Sequence, residues 1–171
     1  MGSKQQGANA TAGRWLTIPR TLCFVLNGDD LLLMKRAAHK RVFPNHYNGV
    51  GGHIERDEDP YTGARREILE ETGLYVEKLQ LRAVYNVDAG AKTGIILFVF
   101  TCISQSREFE SDEREGTLRW IPRQEVMNLD LVEDLPIILP RILNDSDCPT
   151  PLFVHASYDD HDELLMRFAE D

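Results

Sequence analysis

Near the start of the chain two apolar runs, residues 21–26 and 31–36, are separated by Asn27-Gly28-Asp29-Asp30. Asn-Gly followed by Asp supplies the turn chemistry that joins antiparallel strands, so the pattern predicts an opening hairpin. Between residues 37 and 54 the period is lost, and Pro44, Asn45, Asn48, Gly49, Gly51 and Gly52 collect there. This reads as loop with at most a short strand, and long loops in compact domains are often functional. A helix is then predicted to about Thr72, with Asp57 or Asp59 as N-cap, Pro60 in the first turn and Gly73 as a left-handed stop. Residues 79–88 and 95–104 alternate as strands around a turn at 89–94, and 117–121 read as another strand. Residues 123–128 and 135–144 read as helices, the second entered through Pro136 and Pro140. Residues 152–157 and 163–168 fit either a closing hairpin around Asp159-Asp160 or a terminal helix.

No internal repeat or linker divides the pattern, and 171 residues with 42% hydrophobic content suit one globular domain. Residues 1–13 are polar and lack the charged-then-apolar order of a secretory signal, so they are expected to be a disordered tail ahead of a single domain at 14–171. Gly2 is not read as a myristoylation site, because Gln6 stands where Ser or Thr is required. The balance of 19 basic against 28 acidic residues gives a net charge of −9, which argues against a surface built to hold a nucleic-acid polymer. A nucleotide can still be held through metal ions. No run approaches the roughly 20 apolar residues that cross a bilayer, so no membrane partner is expected. Cys23, Cys102 and Cys148 cannot all pair within one chain, and none has Cys-x-x-Cys spacing. They read as incidental or buried thiols of a cytoplasmic protein.

Chemistry gathers on the first helix. At 100° per residue Tyr61, Ala64, Ile68 and Thr72 share one side, whereas Glu67, Glu70 and Glu71 share another at i, i+3 and i+4. Like charges at that spacing repel by a few tenths of a kcal/mol per pair, so the cluster costs stability unless a cation sits among them. Hard carboxylate oxygens suit Mg²⁺, with Mn²⁺ as an alternative. Gly51 and Gly52 upstream let backbone come close to a ligand and leave a carbonyl free for a metal. Arg66 can hold carboxylates in a fixed fork.

Gly52, five residues, Glu58, seven residues, Arg66-Glu67-Ile68, one residue, Glu70-Glu71, one residue, Gly73-Leu74 resembles the Nudix box at each of its specified positions. The opening hairpin before it, and Trp120-Ile121-Pro122 leading into a short helix after it, are also similar to that family. The resemblance implies an α/β fold, an α/β/α sandwich with a mixed, largely antiparallel sheet, and a hydrolase of nucleoside diphosphates linked to another group. It further implies that Glu67, Glu70 and Glu71 hold Mg²⁺, that Arg66 orients Glu67, and that Glu58 pairs with Arg66. Gly51 would lend a carbonyl, and a glutamate from a later loop, best Glu113, would complete the metal site or act as base.

Tyr47-Asn48-Gly49-Val50-Gly51-Gly52 resembles the entry of MutT-like hydrolases that clear oxidised purine nucleoside triphosphates such as 8-oxo-dGTP. By that resemblance Asn48 and the pair Glu133-Asp134 would bind the purine edge, Glu133 departing from an expected Asp. The proline that marks ADP-ribose hydrolases about sixteen residues past the box is replaced by Ala89-Gly90-Ala91. Alternatives are a Nudix hydrolase of ADP-ribose or a nucleotide sugar, a non-catalytic nucleotide-binding module, which would usually have lost a box acid, and a prenyl diphosphate isomerase, whose acid and base are not found. The sevenfold spacing of His39, His46 and His53 is not a metal stripe, because Pro44 and Gly49 deny the helix it needs.

Overall fold

The computed structural model describes residues 3–8, 10–110, 114–143 and 150–169. After a 3-10 turn at Ser3–Gln6, the chain forms β1 (Leu16–Asn27), β2 (Asp30–Arg36), β3 (Tyr47–Asn48), α1 (Pro60–Thr72), β4 (Val76–Asp88) and β5 (Thr93–Ser104). It continues as β6 (Gly116–Pro122), α2 (Arg123–Val126), α3 (Leu135–Ile142), β7 (Leu152–Tyr158) and β8 (Leu164–Phe168). Among the described residues the strands make one sheet in the order β3-β2-β1-β5-β4-β7-β8, with β6 on β2. It is mixed: β1 with β5 and β4 with β7 run parallel, and the remaining pairs antiparallel. No described helix is long and apolar enough to cross a membrane.

Alternation within strands gives the sheet two cores. Leu22 and Phe24 of β1 and Leu31 and Leu33 of β2 pack with Leu135, Ile138, Leu139 and Ile142 of α3. Cys23, Val25, Leu32 and Met34, the intervening residues, pack with Ala64 and Ile68 of α1 on the opposite face. Helices therefore cover both faces, giving the α/β/α sandwich.

The structure corrects some expectations and decides between the alternatives left open at the N-cap and the C-terminal segment. β1 starts at Leu16 and β4 at Val76, earlier than the apolar runs suggest, because β5 pairs with β1 from Leu16↔Thr93 and with β4 from Val76↔Ser104. Tyr61 is 46% exposed and Gly63 takes its place on the packed side of α1. Asp59, not Asp57, is the N-cap, its Oδ1 accepting from the Tyr61 and Thr62 N–H groups at 2.8 and 3.1 Å. Pro140 lies inside α3, and only Pro136 sits in its first turn. The C-terminal segment is a hairpin, β8 returning antiparallel on β7.

A fork in the sheet positions the glycine loop. β2 pairs with β1 only over Asp30, Leu31 and Leu32, and farther along its Met34 and Lys35 pair with β3. Into the gap runs the segment after β3, tied along β1 by Cys23 N–H to Val50 O at 2.7 Å and Thr21 N–H to Gly52 O at 2.8 Å.

Candidate active site

Each end of α1 has a defined stop. Asp59 caps its start, and Gly73, at φ 69°, closes it with its N–H on Leu69 O at 2.8 Å. Ile68 and Ala64 are fully buried and hold the helix rotation, which turns Glu67 and Glu71 toward the glycine loop. The carboxyl of Glu67 lies directly over Gly52: a Cβ there would come within 2.7 Å of it. Glu71 Oε2 accepts the Gly51 N–H at 2.9 Å. Gly51 itself has φ 144°, and a Cβ would meet the Thr21 carbonyl oxygen at 2.4 Å. Val50 O and Gly52 O bond to β1, whereas Gly51 O stands outside that ladder.

Arg66 uses all five of its donors. Nε and Nη2 grip Glu58 at 3.1 and 2.5 Å, Nη2 also reaches His53 O at 2.9 Å, and Nη1 donates to Glu67 at 2.9 Å and Glu70 at 3.0 Å. The guanidinium holds the Glu58 carboxyl below the usual range, helped by the Glu55 N–H, and the same acids push the Arg66 pKa upward. Glu71, on the acid-bearing side of α1, is largely withdrawn from solvent. Burial pushes its pKa up to about 7; the Gly51 N–H opposes that shift, and the charges of Glu67 and Glu115 add to it.

These groups open onto a cleft of about 560 Å³ that extends from the glycine loop and α1 across the α3 side of the sheet. Of the residues singled out in sequence it gathers Asn48, Gly51, Glu67, Glu71, Glu133 and Asp134, whereas Glu58, Arg66 and Glu70 stand outside its lining. Glu70 is turned to Arg66 with 58% of its side chain exposed. Among the described residues no three carboxylate, imidazole or thiol side chains converge as a ready-made ion cage. Glu113 lies outside the described residues, as does Cys148. Glu115, paired with Lys40 at 2.5 Å, lines the cleft beside Glu71.

At the far end Asp134 precedes α3 without capping it by its side chain. Burial pushes its pKa up to about 6, with the charge of Glu133 adding. Tyr85 faces it closely enough for each to shift the other's titration, yet the Tyr85 hydroxyl makes no hydrogen bond of standard geometry. Glu133 accepts a 2.7 Å hydrogen bond from the Tyr158 hydroxyl. Asn48 Oδ1 accepts the Gly49 N–H at 2.8 Å, which turns its amide nitrogen away from the backbone.

Sequence reading missed Arg20, Arg36, Tyr85, Glu115 and Tyr158 as cleft residues. Arg20, Tyr85 and Tyr158 lie in strands, where only the strand parity could have assigned them to the α3 side; Arg36 has the opposite parity in β2.

The family model for the Nudix domain matches residues 16–142. The chain belongs to the Nudix family of hydrolases. A nucleoside triphosphatase NudI from Enterobacter sp. (strain 638) is 31% identical over 122 residues, covering 64% of this chain and 84% of that protein. A MutT-like protein from Streptomyces ambofaciens is 36% identical over 76 residues, 44% of this chain and 47% of that one. Among solved structures, a MutT protein from Bacillus halodurans superposes with a TM-score of 0.74 at 24% identity, covering 90% of this Nudix chain and 99% of its own. The Nudix domain of Shewanella oneidensis NrtR, solved with ADP ribose, gives 0.62 at 18% identity over 82% and 96%. These two establish likeness of fold.

Proposed function

We propose that this Nudix hydrolase is a Mg²⁺-dependent pyrophosphohydrolase that converts a purine nucleoside triphosphate, in particular an oxidised one such as 8-oxo-dGTP, to its monophosphate and pyrophosphate. The observation that carries the reading is the single cleft with two chemistries: carboxylates beside a glycine loop at one end, and Asn48 with Asp134 at the other. The name of the NudI relative, a nucleoside triphosphatase, agrees with a triphosphate substrate.

The donor set fits a hard divalent ion. Glu67 and Glu71 face the same two glycines from one turn of α1, Gly51 O is outside the ladder, and the missing Cβ of Gly52 leaves room for the Glu67 carboxyl. Bound there by Glu67, Glu71 and Gly51 O, with Glu70 within one helical turn, such an ion supplies charge neutralisation for the phosphates and a more acidic water. Arg66 locks Glu67 in place and is itself anchored by Glu58 and His53 O. Glu71 would hold the ion as the carboxylate, so its raised pKa in the ion-free protein means that ion binding releases a proton there, and Glu115 stands next to it. In the base pocket Asp134, whose burial favours the neutral form, would take up a proton as a purine carbonyl closes on it and donate to that carbonyl, while Glu133, fixed by Tyr158, and the Asn48 amide read neighbouring positions.

The test is release of phosphate and pyrophosphate over a panel of normal and oxidised nucleoside triphosphates, ADP-ribose and a nucleotide sugar, with Mg²⁺. Preference for an oxidised purine triphosphate with pyrophosphate as product supports the proposal. Preference for ADP-ribose or the nucleotide sugar overturns the substrate assignment, and no turnover of any of them overturns the catalytic one.

A further inference from the structure

Across the floor of the cleft, three strands place one residue each in a single row: Arg20 of β1 opposite Leu97 of β5, and Leu97 opposite Tyr85 of β4. All three line the cavity. The row ends in two buried polar atoms that have no hydrogen-bond partner, Arg20 Nε and the Tyr85 hydroxyl. With strands about 4.8 Å apart, their backbones are roughly 10 Å from each other. Tyr85 is the end that faces Asp134. Arg20 is the end beside the glycine loop: its backbone bridges to His53, and the next residue, Thr21, bonds to Gly52 O beneath the Glu67 carboxyl.

Arg36, the other arginine in the lining, is already engaged, its Nε donating to Val42 O at 2.8 Å and its charge acting on Glu71. Arg20 forms no hydrogen bond or ion pair among the described residues. A buried donor without a partner costs free energy, and Nε of Arg20 is such a donor on a side chain that lines a cavity. Resting on the nucleotide reading above, we propose that Arg20 is a substrate-binding residue whose guanidinium takes a phosphate oxygen of the bound triphosphate, while the base lies over Leu97 toward Tyr85 and Asp134. A guanidinium matches phosphate geometry and is less strongly hydrated than an ammonium, which suits a half-buried strand position.

The experiment compares wild type, Arg20→Gln and Arg20→Met, loaded with Ca²⁺ to prevent turnover, by calorimetric titration with dGTP and with inorganic tripolyphosphate, alongside the Tm of each ligand-free protein. Binding of both probes is expected to weaken roughly 10- to 100-fold in both variants, the loss of a charge-assisted hydrogen bond. The Tm of Arg20→Met is expected to rise, because an apolar side chain of similar length removes an unpartnered charge. Weakening confined to dGTP would assign Arg20 to base or sugar and overturn the proposal, as would unchanged binding of both probes. A lower Tm in Arg20→Met would mark a packing role and also overturn it. Tripolyphosphate has no base, so a failure of the purine reading appears separately, as equal wild-type affinity for dGTP and dCTP.

Discussion

Arg66 grips both carboxylate oxygens of Glu58, Nε on Oε2 at 3.1 Å and Nη2 on Oε1 at 2.5 Å, across eight positions of sequence. The same guanidinium holds Glu67, so a loop residue fixes the orientation of a helix carboxylate through one planar group. Arg66→Lys keeps the charge and loses the fork. It is expected to lower kcat/KM on the best substrate by roughly 10-fold or more through misplacement of Glu67. Steady-state kinetics check this, and adding Glu58→Gln to Arg66→Lys is expected to cause little further loss, because the two residues act as one unit.

The two loop glycines separate strain from chemistry. At Gly51 a Cβ would strike backbone at 2.4 Å in a left-handed conformation, so Gly51→Ala is expected to destabilise the fold by about 1 to 3 kcal/mol. At Gly52 the Cβ meets only the end of the Glu67 side chain, at 2.7 Å. Gly52→Ala is therefore expected to leave the denaturant midpoint nearly unchanged while reducing kcat. Equal loss of stability in both variants would contradict this division.

Ile68 is fully buried between α1 and the sheet, and Ile68→Ala is expected to cost roughly 2 to 5 kcal/mol in urea denaturation through the cavity left behind. Tyr61, exposed on the same helix, is the control: Tyr61→Ala is expected to change stability by only about 0.5 kcal/mol.

What could be read along the chain was local. Asp59, Pro60 and Gly73 bound α1 because capping acts within a few residues, and Asn27-Gly28 announces its hairpin for the same reason. The box spacing placed Glu67 and Glu71 on one face, since helical geometry converts spacing into direction. Glu71 nevertheless reads as exposed, because its burial comes from the glycine loop, 20 positions away, closing over it. The partnership of β1 with β5 joins residues that are 77 positions apart in sequence, and no turn signals such a pairing. Arg20 stayed hidden with it: a single arginine among strand residues gives no local sign of facing a cavity.

Asp134 carries a pH signature. Its carboxyl is pushed up to about 6 from an ordinary 3.8, chiefly by burial. The stability that accompanies the protonated form is fully present below about pH 3.8 and is lost as pH rises through about 6, a change of up to about 3 kcal/mol. Asp134→Asn cannot ionise, so its urea midpoint relative to wild type is expected to rise between pH 4 and 7. On substrate, Asp134→Ala is expected to lower kcat/KM for 8-oxo-dGTP roughly 5- to 150-fold, and much less for a pyrimidine triphosphate. Equal losses on all nucleotides would move Asp134 out of base recognition.

On the proposed reading, hydrolysis depends on the carboxylates over the glycine loop. Glu71→Gln removes the charge and keeps the shape, and its turnover of the best panel substrate at saturating Mg²⁺ is the most direct measurement. A fall in kcat of at least roughly 10²-fold is expected, with the thermal unfolding transition intact. Near-wild-type turnover in the folded variant would contradict it.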